Sequence, residues 1–302
     1  MNRVLTATDA RQTREWGKYL IAIGWKSELI GKTYIVIRRL PFLGASMIKI
    51  QHPIGPIPFT KIDDVAKKDH AMWAVIEPHI YKYDEKEFIK NGYRKSKILF
   101  AHSSTIKLDL TQNEQLLFKS FSENARRNIK KAQKENLEIR VIHMKEKKNR
   151  EYFDIFYDLL QNVGRMKKFY VPSKDEYRYK MNAFRDGSYL VFAYEKNIPI
   201  AVVWYVCFEN VIAYFQTGIT KRGYETLANY LLVWEGLKLG NKLGQSVFDF
   251  ESIYDERFPK IVQGYKKYTE FKKRFHGEII NYPQPWIKTY SLFGKLLYFL
   301  ER

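Results

Sequence analysis

The 302-residue sequence holds one cysteine, Cys207, set inside an apolar run. No disulfide can form within the chain, and a reducing, cytoplasmic setting is expected. Histidine is sparse. The six residues, His52, His70, His79, His102, His143 and His276, are scattered without a pair at metal-ligand spacing, so no metal site is expected. Long hydrophobic runs are missing as well: the longest, Ile198 to Phe208, is too short to span a bilayer. The N-terminus lacks the basic, apolar, small-residue order of a signal peptide. Acidic residues are in short supply, with 33 Asp and Glu against 52 Lys and Arg, a formal net charge of +19. Such an excess implies a polyanionic partner, either nucleic acid, an anionic membrane surface or a phosphorylated substrate. Hydrophobic residues make up 45% and aromatics 16%, enough for a substantial core in one large domain or two.

Much of the positive charge is concentrated in "FSENARRNIKKAQKENLEIRV". Two capping boxes, Thr111–Glu114 and Ser120–Glu123, predict two successive helix starts there. At about 100° per residue, Arg126, Arg127, Lys130, Lys131 and Lys134 fall within an arc of roughly 140°. Phe118, Phe121, Ala125, Ile129 and Ala132 gather on the opposite side. A solvated charged face usually mixes signs, whereas this one keeps Glu123 and Glu135 at its ends, which favours an anion-binding face.

Downstream, "SYLVFAY", "IPIAVVWYVCF" and "VIAYFQTGI" are β-rich runs separated by short polar turns, predicting an antiparallel meander. A helix over about Thr226 to Lys242 and the strand "SVFDFES" follow. Upstream lie the cationic helix, the strand "LEIRVI" and a helix around Tyr152 to Val163. The N-terminal third repeats this order more loosely: a helix over Arg11 to Ile21, "TYIVIRRL", "SMIKIQH", a helix over Asp63 to His70, "WAVIEP", "EKEFIKN" and the strand "SKILFAH". The order predicts α/β architecture with two acetyltransferase-like (GNAT) domains packed with a cleft between them. The first spans residues 1–110, with a C-terminal helix over 283–302 docked on it, and the second spans 111–282. The pyrophosphate loop of that superfamily corresponds to "TKRGYETLAN", whose single glycine makes a poor coenzyme A cradle.

Several stretches together resemble the Fem family of peptidoglycan-bridge aminoacyltransferases. "REWGKYLIAIGWK" is similar to the family's Trp-containing helix, "HPIGPI" to its Gly-Pro turn and "VIEP" to its strand ending in an acidic residue and proline. "ENARRNIKKAQKENLEI" is similar to its basic helix, "FDFESI" to its strand ending Tyr-Asp-Leu-Gly-Gly, and "EFKKRFHGE" to its Phe-Lys-x-x-Phe segment. The resemblance implies transfer of an amino acid from aminoacyl-tRNA to the stem-peptide amine of a cell-wall precursor, nucleotide- or lipid-linked. No heptad stretch matches the coiled-coil arm of larger members, so the compact type is expected. It further implies no cofactor beyond aminoacyl-tRNA as co-substrate. A cytoplasmic monomer is expected; the basic charge also suits peripheral contact at the inner face of the membrane, while the apolar C-terminal helix is read as packing onto the first domain rather than onto a membrane.

Position by position, the resemblance assigns Lys18 to the precursor's phosphates, Lys272 to the reaction centre, and carboxylate positions to Glu77 and Asp249. It departs at Ile54, where the family has Lys or Arg, and at Val171, where an arginine is expected but Arg165, Lys167 and Lys168 are close. It departs again at Gln216, where a tyrosine is expected with Tyr214 on the same face, and both glycines are missing from "FDFESI". The candidate set is therefore Lys272 and Asp249 as catalytic residues. Lys18, Glu77, Arg165, Tyr214, Gln216 and Arg274 are assigned to substrate, and Arg126, Arg127, Lys130, Lys131 and Lys134 to tRNA. If "EFKKRF" is a strand, Lys272 and Arg274 share one face. Each residue also has a plain structural reading: Lys272 and Lys18 as exposed lysines, Asp249 as a strand-end carboxylate paired to a cation, Glu77 as a strand terminus before Pro78. Two other function classes fit parts of the sequence, an acyl-CoA-dependent N-acyltransferase and a non-catalytic basic RNA-binding protein.

Overall fold

The computed structural model describes residues 3–41, 44–81, 83–146 and 149–291. Strands β1 (Lys26–Ile30), β2 (Thr33–Arg39), β3 (Ser46–Gln51), β4 (Ala71–Glu77) and β5 (Arg94–Lys95) form the N-terminal sheet. Strands β6 (Ser104–Asp109), β7 (Glu138–His143), β8 (Ser188–Glu195), β9 (Ile198–Phe208), β10 (Val211–Ile219), β11 (Val247–Ser252) and β12 (Glu278–Asn281) form the second. A last strand, β13 (Trp286–Thr289), returns to the first sheet. The orders are β1-β2-β3-β4-β13-β5 and β12-β6-β11-β10-β9-β8-β7. The β3–β4 and β10–β11 pairs are parallel, which makes both sheets mixed. Among the described residues no helix is long and apolar enough to cross a membrane.

The chain divides into two compact units. Among the described residues, the N-terminal unit holds 8–104, 255–263 and those from 280 onward; the C-terminal unit holds those up to 7, 105–254 and 264–279. The division falls at Ser104, ahead of the 110/111 boundary expected from sequence, because β6 pairs with β11 (Leu108 opposite Phe248).

In the C-terminal unit, β8, β9 and β10 make the expected antiparallel meander. Ala201 to Val206 of β9 are all 0% exposed, so both faces are covered and the run shows no polar alternation. Tyr205 donates from its hydroxyl to the Leu232 carbonyl at 2.9 Å, in the helix Ala228–Lys242. The helix can come this close because Gly236 faces the ring, where a Cβ would lie 2.2 Å from a ring carbon. On the other face Trp204 packs edge-on against Phe156 and Tyr177, from the helices Glu151–Lys167 and Lys174–Ala183. The second of these helices had no counterpart in the sequence reading. The longest helix among the described residues is the 17-residue Glu151–Lys167.

In the N-terminal unit, the helices Phe59–Lys68 and Glu85–Lys90 cover the sheet, with Phe88 stacked on Trp286. Two expectations fail here. "SKILFAH" is not a strand: the Phe100 and Ala101 N–H groups donate to the Glu77 carboxylate at 2.8 Å each, so they are not available to a ladder. The C-terminal segment is not helical at its start, because Trp286–Thr289 pairs with β4. Residues 292–302, the rest of that expected helix, lie outside the described residues.

Candidate active site

The site is built around the end of β11. Phe248 and Phe250 belong to the core, so Asp249 faces the other way, where register sets it opposite Lys107 of β6. The Lys107 side chain is wholly buried, with Nζ 3.6 Å from Asp249 Oδ2. The Thr105 hydroxyl lies 2.5 Å from Asp249 Oδ1 and 3.0 Å from the Glu251 carbonyl. The Glu251 N–H donates to Asp249 Oδ1 at 2.7 Å. Both carboxylate oxygens therefore already have partners. Asp249 thus has the contacts of its structural alternative, a strand-end carboxylate paired to a cation.

That pairing shapes the chain beyond it. The β11–β6 register slips between Asp249 and Ser252, and Glu251 sits at φ +60°, a left-handed conformation costing a non-glycine residue roughly 1 kcal/mol. This is one of the two places where the resembled family motif carries glycine. The backbone keeps a glycine-like shape while a buried carboxylate replaces the hydrogen.

Lys272 comes from a helix, Lys266–Lys273, where a strand was expected. Phe271 and Phe275 stand four residues apart, a spacing that seats both on one helix face, against Tyr230. Lys272 is 6% exposed, while its neighbour Lys273 turns outward to Glu270. Lys272 Nζ donates to the Ser252 carbonyl at 2.6 Å and lies 5.8 Å from the centre of the Tyr214 ring. Burial pulls its pKa down from 10.5 to about 8, against the opposing pull of the Glu251 and Asp249 carboxylates. Near neutral pH this amine is protonated but easily discharged. The helix also separates Arg274 from Lys272. Arg274 instead donates to Asn124 Oδ1 at 2.9 Å and to the Tyr230 hydroxyl, tying scaffold helices together.

The other candidates disperse. A bulge between Tyr214 and Gln216 puts Tyr214 opposite Tyr205 and Gln216 opposite Trp204, so the two no longer share a face. Tyr214 stays with the core near Lys272, and Gln216 bonds the Tyr177 hydroxyl on the other side. Arg165 is exposed at the end of its helix. Lys18 is exposed on the helix Arg14–Ala22 of the N-terminal unit. Glu77, in that same unit, is buried with a pKa raised chiefly by desolvation, and it serves as the acceptor for the Phe100 and Ala101 N–H groups. Lys107, Thr105 and Glu251 were missed. Alternation in "STIKLD" places Thr105 and Lys107 on one face, but only the strand register brings them to Asp249.

The basic helix, Glu123–Ala132, has the expected seat: Ala125, Ile129 and Ala132 are buried and Ser122 caps its start. Arg127, Lys130, Lys131 and Lys134 are exposed. Arg126 differs, because Nη1 donates to the Lys119 and Phe121 carbonyls at 2.7 and 2.6 Å and so closes the end of the preceding helix.

The histidines are less scattered than expected. In the N-terminal unit His52 Nδ1 lies 2.8 Å and His102 Nε2 3.6 Å from Asp9 Oδ2, and the three residues' ligand-type atoms lie within 4.8 Å of one another. Asp9 Oδ1 is held by the Arg11 N–H at 2.8 Å and guanidinium at 3.2 Å. Burial alone would raise the Asp9 pKa, but Arg11 and His52 together bring it well below the usual range. Asp9, His52 and His102 thus form a buried group whose atoms could hold a metal ion, where the sequence reading expected no metal site.

A first test concerns the Asp249 pairing. Asp249→Ala leaves Lys107 buried without its counter-ion, which should lower stability by about 3–5 kcal/mol in urea denaturation. A loss below about 1 kcal/mol would show that the pairing does not hold the site together.

Residues 90–196, which include the basic helix, match the FemAB family. No curated protein matches the chain in sequence. In fold it is similar to a crystal structure of FemX, with a TM-score of 0.80 at 13% identity over 98% of this chain and 96% of that one. It is also similar to L-PGS from Bacillus licheniformis, with a TM-score of 0.62 at 11% identity over 94% and 90%. A tandem GNAT protein from the clavulanic acid biosynthesis pathway gives 0.50 at 9% identity over 85% and 78%. The chain thus matches the FemAB family over residues 90–196, including the basic helix, and has a FemX-like fold of two mixed α/β sheets.

Proposed function

We propose that this protein is a peptidoglycan-bridge aminoacyltransferase that moves an amino acid from aminoacyl-tRNA to the stem-peptide amine of a cell-wall precursor. The FemAB match over residues 90–196 and the FemX-like fold support the general class. The observation that carries the chemistry is Lys272, a buried amine with a pKa near 8 at the motif the family resemblance assigns to the reaction centre.

In the proposed reaction the neutral acceptor amine attacks the ester carbonyl. A C–N bond forms, the ester C–O bond breaks, and the amine's proton ends on the ribose oxygen that leaves. The ester is already activated, so the protein supplies positioning and a charge for the oxyanion. Lys272 fills the second role as a cation whose burial strengthens its field. Asp249, Thr105 and Lys107 fix the bulge from which Ser252 holds the Lys272 amine.

The turn that would cradle coenzyme A supports an acyl-tRNA donor over acyl-CoA. The Gly223 N–H donates to Thr220 Oγ1 at 3.1 Å and the Tyr224 N–H to the Thr220 carbonyl. A Cβ on Gly223 would lie 2.5 Å from the Ile200 carbonyl oxygen, so this glycine packs against the sheet. These donors are spent inside the turn and do not await a pyrophosphate.

The acceptor is tested by supplying aminoacyl-tRNA together with a nucleotide-linked pentapeptide precursor, its lipid-linked form, or phosphatidylglycerol. Product on either peptide precursor is expected. Product on phosphatidylglycerol alone would contradict the peptidoglycan reading, although the fold would stand.

A further inference from the structure

At the end of the helix Glu151–Lys167 six consecutive residues, Arg165 to Tyr170, are all exposed. Three are cations and three are large and apolar or aromatic. Tyr170 is 83% exposed, Phe169 42% and Met166 40%.

The turn is a built feature. Lys168 adopts φ 55° and reverses the chain, and the Phe169 N–H returns to the Gly164 carbonyl at 3.1 Å. Gly164 is needed for this closure, because a Cβ there would lie 2.5 Å from Val171 Cγ2. The exit is pinned where the Tyr157 hydroxyl donates to the Pro172 carbonyl at 2.9 Å. Lys167 Nζ rests 5.1 Å from the Tyr224 ring centre. Folding thus holds Phe169 and Tyr170 in water when the same helix buries Phe153, Phe156 and Tyr157.

Three classes of partner compete for such a surface. The core of a protein interface is depleted in lysine, and here lysine stands between the apolar side chains. A folded RNA stem presents phosphates and sugars and gives Met166 and Phe169 nothing apolar to enter, and a single-stranded tRNA end can stack on Phe169 and Tyr170 but offers no apolar layer for Met166. The interfacial zone of an anionic bilayer takes both kinds of side chain: aromatic rings sit at headgroup depth and cations meet the lipid phosphates. The charge excess of the whole chain has the matching sign.

We propose that the Arg165–Tyr170 turn docks this protein on anionic lipid bilayers. The inference does not depend on which acyl group is transferred. The turn is too small for irreversible insertion, so docking is reversible and sensitive to salt.

Sedimentation with phospholipid vesicles tests it, using the full chain. Binding to vesicles of mixed phosphatidylglycerol and phosphatidylcholine is expected, with little binding to phosphatidylcholine alone. Met166→Ser/Phe169→Ser/Tyr170→Ser should weaken binding roughly ten-fold, and Lys167→Glu/Lys168→Glu by at least as much. A polarity-sensitive dye on Tyr170→Cys should shift to the blue with anionic vesicles. Cys207 takes little label, since burial pushes its thiol up to about 12. Wild-type vesicle binding by the triple-serine variant, or a dye that ignores vesicles, would overturn the proposal. So would variants that lose tRNA affinity while keeping full vesicle affinity, because the turn would then belong to the RNA site.

Discussion

Lys272→Met should lower the maximal rate of aminoacyl transfer by about two to three orders of magnitude while leaving donor and acceptor affinities nearly unchanged. Methionine keeps the length and apolar stem of the lysine and removes only the charge. The same substitution should make the protein more stable at neutral pH. Because the folded-state pKa lies near 8 and the unfolded one near 10.5, charge on this amine weakens folding fully below about pH 8 and ceases to do so above 10.5. After allowing for the lost bond to Ser252, a gain of roughly 1–2 kcal/mol is expected in denaturant unfolding at pH 7. Loss of rate with gain of stability is the signature of a residue kept for chemistry.

The pH dependence separates two roles for the amine. If Lys272 acts as a cation, the ratio of wild-type to variant rate is flat below about pH 8 and falls about ten-fold per unit above it. A ratio that instead rises with pH up to about 8 would make Lys272 a general base, and the oxyanion would be met elsewhere.

Charge reversal on the basic helix is the second large effect. Arg127→Glu/Lys130→Glu/Lys131→Glu should reduce aminoacyl-tRNA affinity at least a hundred-fold in low salt and leave folding intact, since these side chains lie outside the apolar seat. Each lost phosphate contact should flatten the salt dependence by roughly 0.7 to 0.9 log units per log salt. Arg126 is left alone because its guanidinium closes the preceding helix, so its removal would confuse folding with binding. Unchanged affinity and salt slope would make this face merely solvated.

The elements legible in the sequence were those whose pattern is local. The meander announced itself by three β-rich runs and short turns, and the basic helix by its 3.6-residue apolar spacing, although its cap is Ser122 and not the expected Ser120. What failed depends on contacts distant in sequence. "SKILFAH" has strand composition, but its N–H groups go to Glu77. "EFKKRF" was considered as a strand, yet its two phenylalanines, four residues apart, seat against Tyr230 from a helix. The family resemblance pointed to Lys272 and Asp249, but it could not say that Lys107 would lie opposite Asp249 or that Glu251 would take up a glycine conformation. Tyr214 and Gln216 were separated by a bulge that a strict period of two cannot foresee.

The central claim concerns the donor, and one measurement meets it directly. Purified protein and the peptide precursor are given one labelled amino acid in three forms: esterified to its tRNA, as the coenzyme A thioester, and free with ATP. Incorporation from the tRNA ester alone, abolished by ribonuclease pretreatment and by Lys272→Met, is the predicted result. Incorporation from the thioester at an equal or greater rate would contradict the account and make the protein an acyl-CoA-dependent transferase on the same fold.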